Sequence, residues 1–329
     1  MTGRTIVVNP LGAALLHYRR ELVSVLRASG QSTEVVEFLE PSAGDVSRFR
    51  WVLKYLHTLR VIRFRRSGAD RAARVVITWP VLGYLDLLLL TFLLPNAWLT
   101  VHDPVPLVRS VGYGSFARAM ARLLRSRAKV VVLSDAAADE VRKALPRAAL
   151  KTLPHPMIEP VPAPARPAQL NIRVLGQYKE DRDLELLRQL ATVTTDAMFS
   201  ISGRGWPRVD GWEVDDRFVP EDELDNLIKT ASVVLIPYRR FFQSGIAVRC
   251  LELGTPVVGP RHSSLRELLR RNPALLADTE PEDWTRAVES ALQLSSDEMA
   301  RIGAAEYKNS VSGWMDLPLN SKATRRSHS

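Results

Sequence analysis

Residues 231–267 read ASVVLIPYRRFFQSGIAVRCLELGTPVVGPRHSSLRE, and this stretch decides the fold. The apolar run at its start is typical of a buried parallel strand. Ser244 and Gly245 begin a predicted helix, Gly254 ends it, and residues 255–259 form the next strand. Strand, helix and strand in this order make one right-handed βαβ unit. The sequence therefore predicts an α/β fold whose ligand site lies at the carboxyl ends of parallel strands.

The helix start at Ser244 and Gly245 is a candidate phosphate site. A helix amino terminus presents backbone N–H groups without intrahelical partners and the positive end of the helix dipole. This part of the chain resembles the nucleotide-sugar domain of the GT-B glycosyltransferases, most closely the retaining family-four type. The matching positions, in chain order, are Pro237, Ser244, Gly245, Gly254, Pro256, Val257 and Val258, with Glu267 at the Glu that closes the pattern. The alternative interpretation is an ordinary βαβ unit with a tight Gly-Pro turn.

The resemblance covers about residues 5–310 and implies two Rossmann-like parallel-sheet domains that face each other across a cleft. A chain of 329 residues with 46% hydrophobic residues is long enough for two α/β domains. A Pro/Ala-rich stretch at residues 159–168 marks the boundary, because it interrupts helices and central strands. We predict four parts: an acceptor domain over 1–160, a linker over 161–169, a nucleotide-sugar domain over 170–312, and a tail over 313–329 that is disordered at its end.

Composition narrows the class of protein further. The single cysteine, Cys250, excludes a disulfide framework and fits a reducing compartment. We find no signal peptide and no segment long enough to span a bilayer, so a cytoplasmic location is expected. A net charge of +9 indicates an anionic partner such as nucleic acid, an anionic membrane surface or a phosphate-bearing substrate.

Two cations follow the first strand of the second domain, residues 171–175. Lys179 and Arg182 lie three positions apart in the loop after it. The resemblance implies that this pair clamps the nucleotide diphosphate, since fixed cations stabilise the charge that a leaving diphosphate gains. The alternative is two solvated charges in a loop rich in Glu and Asp. The resemblance also implies a metal-independent reaction with no cofactor beyond the donor substrate.

The next strand of that domain covers residues 197–202. In the resembled family the residues that follow it hold the nucleotide base, mostly through backbone groups. The positions that match are Arg217, Phe218 and Val219, which we expect to contact the base.

The amino-terminal half carries the candidates for catalysis. Gly12 lies in the loop after the first strand, where a glycine lets a ligand approach the backbone closely, although a simple turn is the equal alternative. His102 and Asp103 follow the strand over residues 98–101. A strand-end His beside an Asp is suited to positioning an acceptor hydroxyl, or it forms a local turn. The resemblance implies that His102 reaches the donor sugar, with Asp103 as a lower-ranked base.

Residues 48–66 read RFRWVLKYLHTLRVIRFRR and contain no acidic residue. Apolar positions recur at helical spacing on one predicted face, namely Phe49, Val52, Leu53, Leu56 and Leu59. The opposite face carries Arg50, Lys54 and His57. A basic amphipathic helix with aromatic residues is what an anionic membrane surface attracts, and the alternative is a core-packing helix with a solvated basic face. A second basic face is predicted at Arg118, Arg122 and Arg125.

Two positions depart from the resembled family, which carries two Glu residues that contact the donor sugar and the ribose. Here Phe242 and Arg249 stand at those positions, and neither accepts a hydrogen bond from a hydroxyl. Arg239, in the Pro-Tyr-Arg before Ser244, is a candidate contact to the donor or its phosphate. Arg249 is a candidate partner for an acidic donor sugar.

Together these features predict a glycosyltransferase that moves a sugar from a nucleotide-diphosphate sugar to a hydroxyl of a saccharide or lipid-linked saccharide. The resemblance implies retention and a place in polysaccharide or glycoconjugate assembly. The basic first half favours peripheral contact with the inner face of the cell membrane. The main alternative is an inactive GT-B scaffold or partner subunit. A nucleic-acid binder would explain the basic helix but not the phosphate pattern, so nucleic acid is not expected as a partner.

Overall fold

The computed structural model describes residues 3–66, 72–105, 112–123, 129–164, 167, 169–193, 197–239 and 242–317. They form two compact units, the first made of the chain up to Pro156 together with the residues from Asn309, and the second of Met157–Lys308. Each unit contains one six-stranded sheet in which all strand pairs are parallel. The predicted α/β architecture with two parallel-sheet domains is confirmed.

The first unit alternates strands and helices around the sheet order β2-β1-β3-β4-β5-β6. Its elements are β1 Arg4–Asn9, α1 Leu16–Ala28, β2 Ser32–Glu37, α2 Arg48–Arg65, β3 Arg74–Ile77, α3 Leu85–Leu93, β4 Trp98–Thr100, α4 Ser115–Leu123, β5 Lys129–Val132, α5 Asp135–Ala144 and β6 Ala149–Thr152. Five of the six β1 residues and all of β3 are buried, as expected for strands covered by helices on both faces. Strand order reverses between β1 and β3, which places a crevice at their carboxyl ends.

The second unit has the strand order β12-β11-β10-β7-β8-β9. Its elements are β7 Asn171–Leu175, α6 Leu184–Val193, β8 Met198–Ser202, β9 Glu213–Asp215, α7 Glu221–Lys229, β10 Val233–Leu235, α8 Gly245–Glu252, β11 Val257–Pro260, α9 Leu265–Leu268, a 3-10 turn Pro273–Leu275, β12 Leu276–Ala277 and α10 Pro281–Gln293. Numbered within the unit, this is the doubly wound order 3-2-1-4-5-6. The order reverses between β7 and β10, so the crevice lies at the carboxyl ends of these two strands.

The carboxyl-terminal boundary differs from the one expected from the sequence. The last helix, α11 Ser296–Met315, continues past the predicted end of the second domain at residue 312, and its final residues belong to the first unit. Trp314 is fully buried in the core of that unit and donates from Nε1 to the Pro154 carbonyl at 2.9 Å. The large buried side chain of Trp314 thus anchors a segment for which the weak apolar periodicity of the sequence predicts no ordered structure. The predicted disorder at residues 320–329 lies outside the described residues.

Helix α2 packs through a face that includes only part of the predicted one: Leu59 is buried and Val52 and Leu56 are half-buried. Its buried residues are Tyr55, Leu59 and Ile62, whereas Phe49 and Leu53, predicted to share the packed face, are exposed. The sequence pattern fails because apolar residues occur on both sides of this helix. No described helix is long and apolar enough to cross a membrane.

The second predicted basic face, on α4, is only partly available to solvent partners. Arg122 donates from Nε to the Ala144 carbonyl at 2.7 Å and from Nη2 to the Lys143 carbonyl at 2.9 Å. These bonds satisfy the last carbonyls of α5, which have no partners within that helix. Arg125 lies outside the described residues.

Candidate functional site

Two loops meet at the crevice of the second unit. The loop after β7 and the loop after β10 are joined by backbone hydrogen bonds from Asp183 N to the Pro237 carbonyl and from Arg239 N to the Asp181 carbonyl, both 2.8 Å. Sequence-distant residues therefore share one site. Residues 179–182 of the first loop lie beside Tyr238 of the second, and helix α8 begins a few residues further along.

Arg182 is the most unusual side chain of this site. Only 3% of it is exposed, and Nη2 donates to the carbonyls of Leu175 at 3.2 Å and Gln177 at 3.4 Å. Its guanidinium stacks on the Tyr238 ring at 3.9 Å and lies 5.2 Å from the Trp206 ring centre. Nε and Nη1 are buried and have no hydrogen-bond partner among the described residues. Burial lowers the pKa of Arg182 but leaves the group cationic, since arginine starts far above neutral pH.

A buried cation with unsatisfied donors is costly unless an anion approaches it. Arg182 and the start of α8 both approach Gly176. A Cβ at Gly176 would lie 3.5 Å from Arg182 Nη2 and 4.0 Å from Ile246 Cγ1, and the φ of +94° at this position favours glycine. The loop therefore brings the guanidinium close to the positive end of a helix.

Ser244 caps that helix, as its Oγ accepts from Ala247 N at 3.3 Å. The N–H groups of Gly245 and Ile246 have no acceptor within the described parts of the chain. Among the described residues, no atom apart from those of its chain neighbours and its own helix backbone lies within 4 Å of where a Cβ at Gly245 would be, so this part of the structure leaves the helix start open. Arg182 and this helix start together can bind a doubly charged group such as a diphosphate.

Lys179 and Arg239 are exposed in the two joined loops. Arg239 forms a two-point ion pair with Asp183, Nε to Oδ2 and Nη2 to Oδ1, each 3.1 Å. Asp183 also accepts from Leu186 N at 3.2 Å and so caps α6. Arg239 thus holds the two loops together, while Lys179 extends from the rim of the site, where a flexible ammonium can reach a bound phosphate.

Arg249 has a structural role instead of the predicted contact with a donor sugar. It is buried, and its guanidinium donates to the carboxylates of Glu221 and Asp225 and, at 2.9 Å, to the Glu221 carbonyl. These contacts tie α8 to α7 and occupy the guanidinium. Phe242 is also buried. The two positions that hold Glu in the resembled family therefore offer no acceptor to a donor.

The predicted base contacts lie at the carboxyl end of β9. Arg217 is paired with Glu223 and, through Nε, with Asp215 Oδ2 at 2.9 Å, so its guanidinium is already engaged. Phe218 is 70% exposed and Val219 packs partly against the core. The exposed Phe218 ring is the member of this group that is available for stacking on a base.

Sequence reasoning missed two aromatic residues of the site, Tyr178 and Trp206. Their rings meet edge to face at 5.3 Å, and Trp206 Nε1 donates to the Gly176 carbonyl at 2.8 Å. Each lies a few residues after the end of a strand, β7 or β8. Large aromatic residues just beyond strand ends were the available signal.

The first unit brings His102 into a second cluster. His102 is buried, its Nε2 donates to the Thr78 carbonyl at 2.9 Å, and its ring stacks on Trp79 at 5.5 Å. Tyr18 meets His102 edge to face at 4.5 Å and meets His155 at 5.5 Å. The predicted strand-end position of His102 thus lies in an aromatic cluster, with Asp103 half-buried next to it.

Glu21 adds a buried carboxylate to this cluster. Its carboxylate oxygens lie 3.3 Å from His17 Nε2 and 3.8 Å from His155 Nδ1. His155 therefore joins the same group of side chains as His102. The helix α1 that carries His17, Tyr18 and Glu21 showed no catalytic pattern in the sequence.

The backbone N–H groups of the loop at Gly12 donate to acceptors within the protein. Gly12 N donates to the Phe38 carbonyl at 3.0 Å, and a Cβ at this position would lie only 3.1 Å from that oxygen. The next two N–H groups, of Ala13 and Ala14, donate to the buried carboxylate of Glu40 at 3.2 and 2.8 Å. The glycine is needed for close approach to β2, and the donors expected to face a ligand bind Glu40 instead.

No protein-family profile matches the chain, and no curated protein matches it in sequence. Solved structures match it in fold. Sucrose-phosphate synthase from Thermosynechococcus elongatus superimposes with a TM-score of 0.64 at 15% identity, covering 94% of each chain. WaaG, a glycosyltransferase involved in lipopolysaccharide biosynthesis, superimposes with a TM-score of 0.53 at 15% identity, covering 94% of this chain and 97% of its own. Apo OtsA superimposes with a TM-score of 0.57 at 11% identity, covering 95% of this chain and 97% of its own. The two doubly wound parallel sheets of this protein therefore adopt the GT-B fold.

Proposed function

We propose that the protein is a glycosyltransferase that uses a nucleotide-diphosphate sugar as donor. The observation that carries this proposal is the buried guanidinium of Arg182, with Nε and Nη1 unsatisfied, beside the open helix start at Gly245. A diphosphate supplies the oxygens that these donors lack. Both elements also lie at the switch point of the sheet, where open α/β folds bind nucleotides.

The same geometry favours sugar transfer over simple storage of a nucleotide. When the bond from the anomeric carbon to the diphosphate oxygen breaks, the diphosphate gains negative charge. Arg182 and the α8 dipole stabilise that charge without reorganising, which is how fixed donors accelerate such a step. The acceptor hydroxyl oxygen forms the new bond to the anomeric carbon and loses its proton. We propose a metal-independent reaction because two positive elements already serve the diphosphate.

We assign acceptor positioning to the first unit. His102, two residues after the end of β4, lies with Tyr18 and Trp79 near the carboxyl ends of β3 and β4. Stacked aromatic and imidazole groups are suited to a sugar ring and its hydroxyls. We propose a saccharide or lipid-linked saccharide as acceptor, transfer with retention, and a role in polysaccharide or glycoconjugate assembly at the inner face of the cell membrane.

A scaffold without activity is the second candidate. It is favoured by the burial of Phe242 and by the engagement of Arg249 with Glu221 and Asp225, which leave the usual carboxylate positions empty of acceptors. Such a protein would retain the diphosphate site and bind nucleotides without turning them over.

Thermal unfolding with UDP, GDP, ADP and their hexose conjugates tests the proposal. A ligand at about one hundred times its dissociation constant adds about 2.7 kcal/mol to stability. We expect one nucleotide series to raise the melting temperature and its sugar conjugate to be consumed with saccharide acceptors. Stabilisation without release of nucleoside diphosphate would favour the scaffold. Absence of any shift in folded protein would overturn the diphosphate site.

A further inference from the structure

Helix α2 presents an apolar stripe to solvent in addition to its packed face. Phe49 is 71% exposed, Leu53 47% and Phe64 81%. At about 100° per residue, these three positions lie within about 60° of one another, and they span about 22 Å of the helix. They lie on the outward side of the helix, away from Tyr55, Leu59 and Ile62, the residues that pack inward.

Positive charge borders this stripe. Arg60 projects between Phe49 and Leu53 in helical angle, and Arg50 and Lys54 follow on one side. Within the described chain, none of these three cations forms an ion pair. The helix itself has no acidic residue, and its cation Arg65 forms an ion pair with Glu34 on β2.

The neighbouring helix α3 carries a further exposed aromatic residue near the end of α2. Arg63 donates from Nη1 to the Phe92 carbonyl at the end of α3, which brings Phe92 close to the carboxyl end of α2. Phe92 is 66% exposed. Exposed aromatic rings therefore occur at both ends of the α2 surface, and arginines whose apolar stems can lie along it occur between them.

We infer that this surface, formed by Phe49, Leu53, Phe64 and Phe92 with Arg50, Lys54 and Arg60, docks the first unit on an anionic lipid bilayer. The rings enter the boundary between headgroups and acyl chains, and the cations contact lipid phosphates. A helix that is apolar on one stripe, basic on its flanks and free of acids complements a negatively charged plane over its whole length. This inference deepens the membrane location in the proposed function by naming the surface and the lipid charge it requires.

Labelled single-cysteine variants test the inference. Cys250 is fully buried, and burial raises the pKa of its thiol, so a thiol reagent will react at an introduced exposed cysteine. We would attach an environment-sensitive fluorophore at Phe49→Cys or Leu53→Cys and compare them with Met198→Cys on β8 of the second unit. Each labelled variant is mixed either with vesicles of phosphatidylcholine alone or with vesicles made of equal parts of phosphatidylcholine and phosphatidylglycerol.

The expected result is a blue-shifted, stronger emission at positions 49 and 53 with anionic vesicles only, and no change at position 198. The triple variant Arg50→Gln, Lys54→Gln, Arg60→Gln should bind these vesicles at least about tenfold more weakly. The matched variant Arg188→Gln, Arg208→Gln, Arg301→Gln in the second unit should bind as the unmodified protein does. Binding should weaken as salt is raised.

An unchanged emission at both α2 positions would overturn the inference, as would equal binding of the two triple variants. A blue shift that grows with protein concentration in the absence of vesicles would show that the stripe joins two copies of the chain, and would also overturn it. No nucleotide sugar is present in these assays. Their failure would therefore leave the proposed transferase activity standing, and failure of that activity would leave the lipid surface standing.

Discussion

The guanidinium carbon of Arg182 lies 3.9 Å from the centre of the Tyr238 ring, so a cation from the loop after β7 stacks on an aromatic residue from the loop after β10. Stacking covers a face of the guanidinium and leaves its edge nitrogens able to donate. Nε and Nη1 lie on that edge and are unsatisfied among the described residues. The ring thus fixes the plane in which an anion would be bound.

Arg182→Met keeps the buried stem and removes the charge. We expect the ligand-free variant to unfold at or above the temperature of the unmodified protein, because an uncompensated buried cation is removed. We also expect stabilisation by nucleoside diphosphates to be lost. Arg188→Met, on the exposed face of α6, is the control and should keep that stabilisation. Retained nucleotide binding in Arg182→Met would refute the assignment of the diphosphate to this arginine.

Arg249→Met removes the link between α7 and α8. Each hydrogen bond to a charged group contributes roughly 1.5–3 kcal/mol, but Glu221 and Asp225 can regain water, so we expect a loss of about 2 kcal/mol in the free energy of unfolding. Arg249→Glu should destabilise more, because it places a third carboxylate beside the other two. Chemical denaturation measures both losses. A stable Arg249→Glu variant with higher transferase activity would instead support a donor contact here.

His102→Gln separates donor binding from turnover. His102 lies in the first unit, so the nucleotide-induced rise in melting temperature should be unchanged. Turnover should fall about one-hundredfold or more if the imidazole positions or deprotonates the acceptor. His262→Gln, at an exposed position of the second unit, is the matched control. Unchanged turnover in His102→Gln would exclude it from the reaction.

Glu40→Ala leaves the N–H groups of Ala13 and Ala14 without their acceptor. We expect a loss of about 1–3 kcal/mol in stability, the cost of unsatisfied donors. The stabilisation of the variant by nucleotides should match that of the unmodified protein, because the proposed diphosphate site is in the second unit. A selective loss of nucleotide stabilisation in a folded variant would return the Gly12 loop to the donor site.

Asp86 should make stability depend on pH. It is fully buried on α3 beside Tyr55, and burial raises its pKa to about 7, although Leu82 N donates to its carboxylate at 2.7 Å. Between about pH 4 and pH 7 the folded protein holds a proton that the unfolded chain releases. Stability should therefore fall as pH rises through this range, by up to about 4 kcal/mol.

Asp86→Asn removes this titration and should be more stable than the unmodified protein at pH 8, with a smaller difference at pH 5. Denaturant unfolding at both pH values gives the comparison. Parallel pH profiles for the two proteins would show that Asp86 titrates at its ordinary value.

The predictions that could be made from the sequence rest on residues that are neighbours along the chain. Ser244-Gly245 before an apolar helix and Gly254 after it are signals contained within a few residues, and the helix, its cap and its two flanking strands follow them. The partners of Arg249 lie 24 and 28 residues earlier on α7, and Glu40 lies 26 residues beyond Ala14. Such pairs cannot be recognised from the spacing of neighbouring residues in the sequence. For the same reason, the sequence could not tell that Phe49 and Leu53 lie outside the packed face of α2.

The sequence alone determined the alternation of strands and helices, the placement of glycines and caps at strand ends, and hence an α/β fold with a helix start whose N–H groups suit a phosphate. Periodicity and backbone preference act over a few residues, so they can be recognised without knowledge of the fold. Only the tertiary structure decided which charges remain available. Folding pairs Arg239, Arg217 and Arg249 with carboxylates, whereas it buries Arg182 against Tyr238 with no carboxylate partner in the described part of the chain. Ion pairing and desolvation depend on distances through space, and those distances are set when sequence-distant strands become neighbours in the sheet.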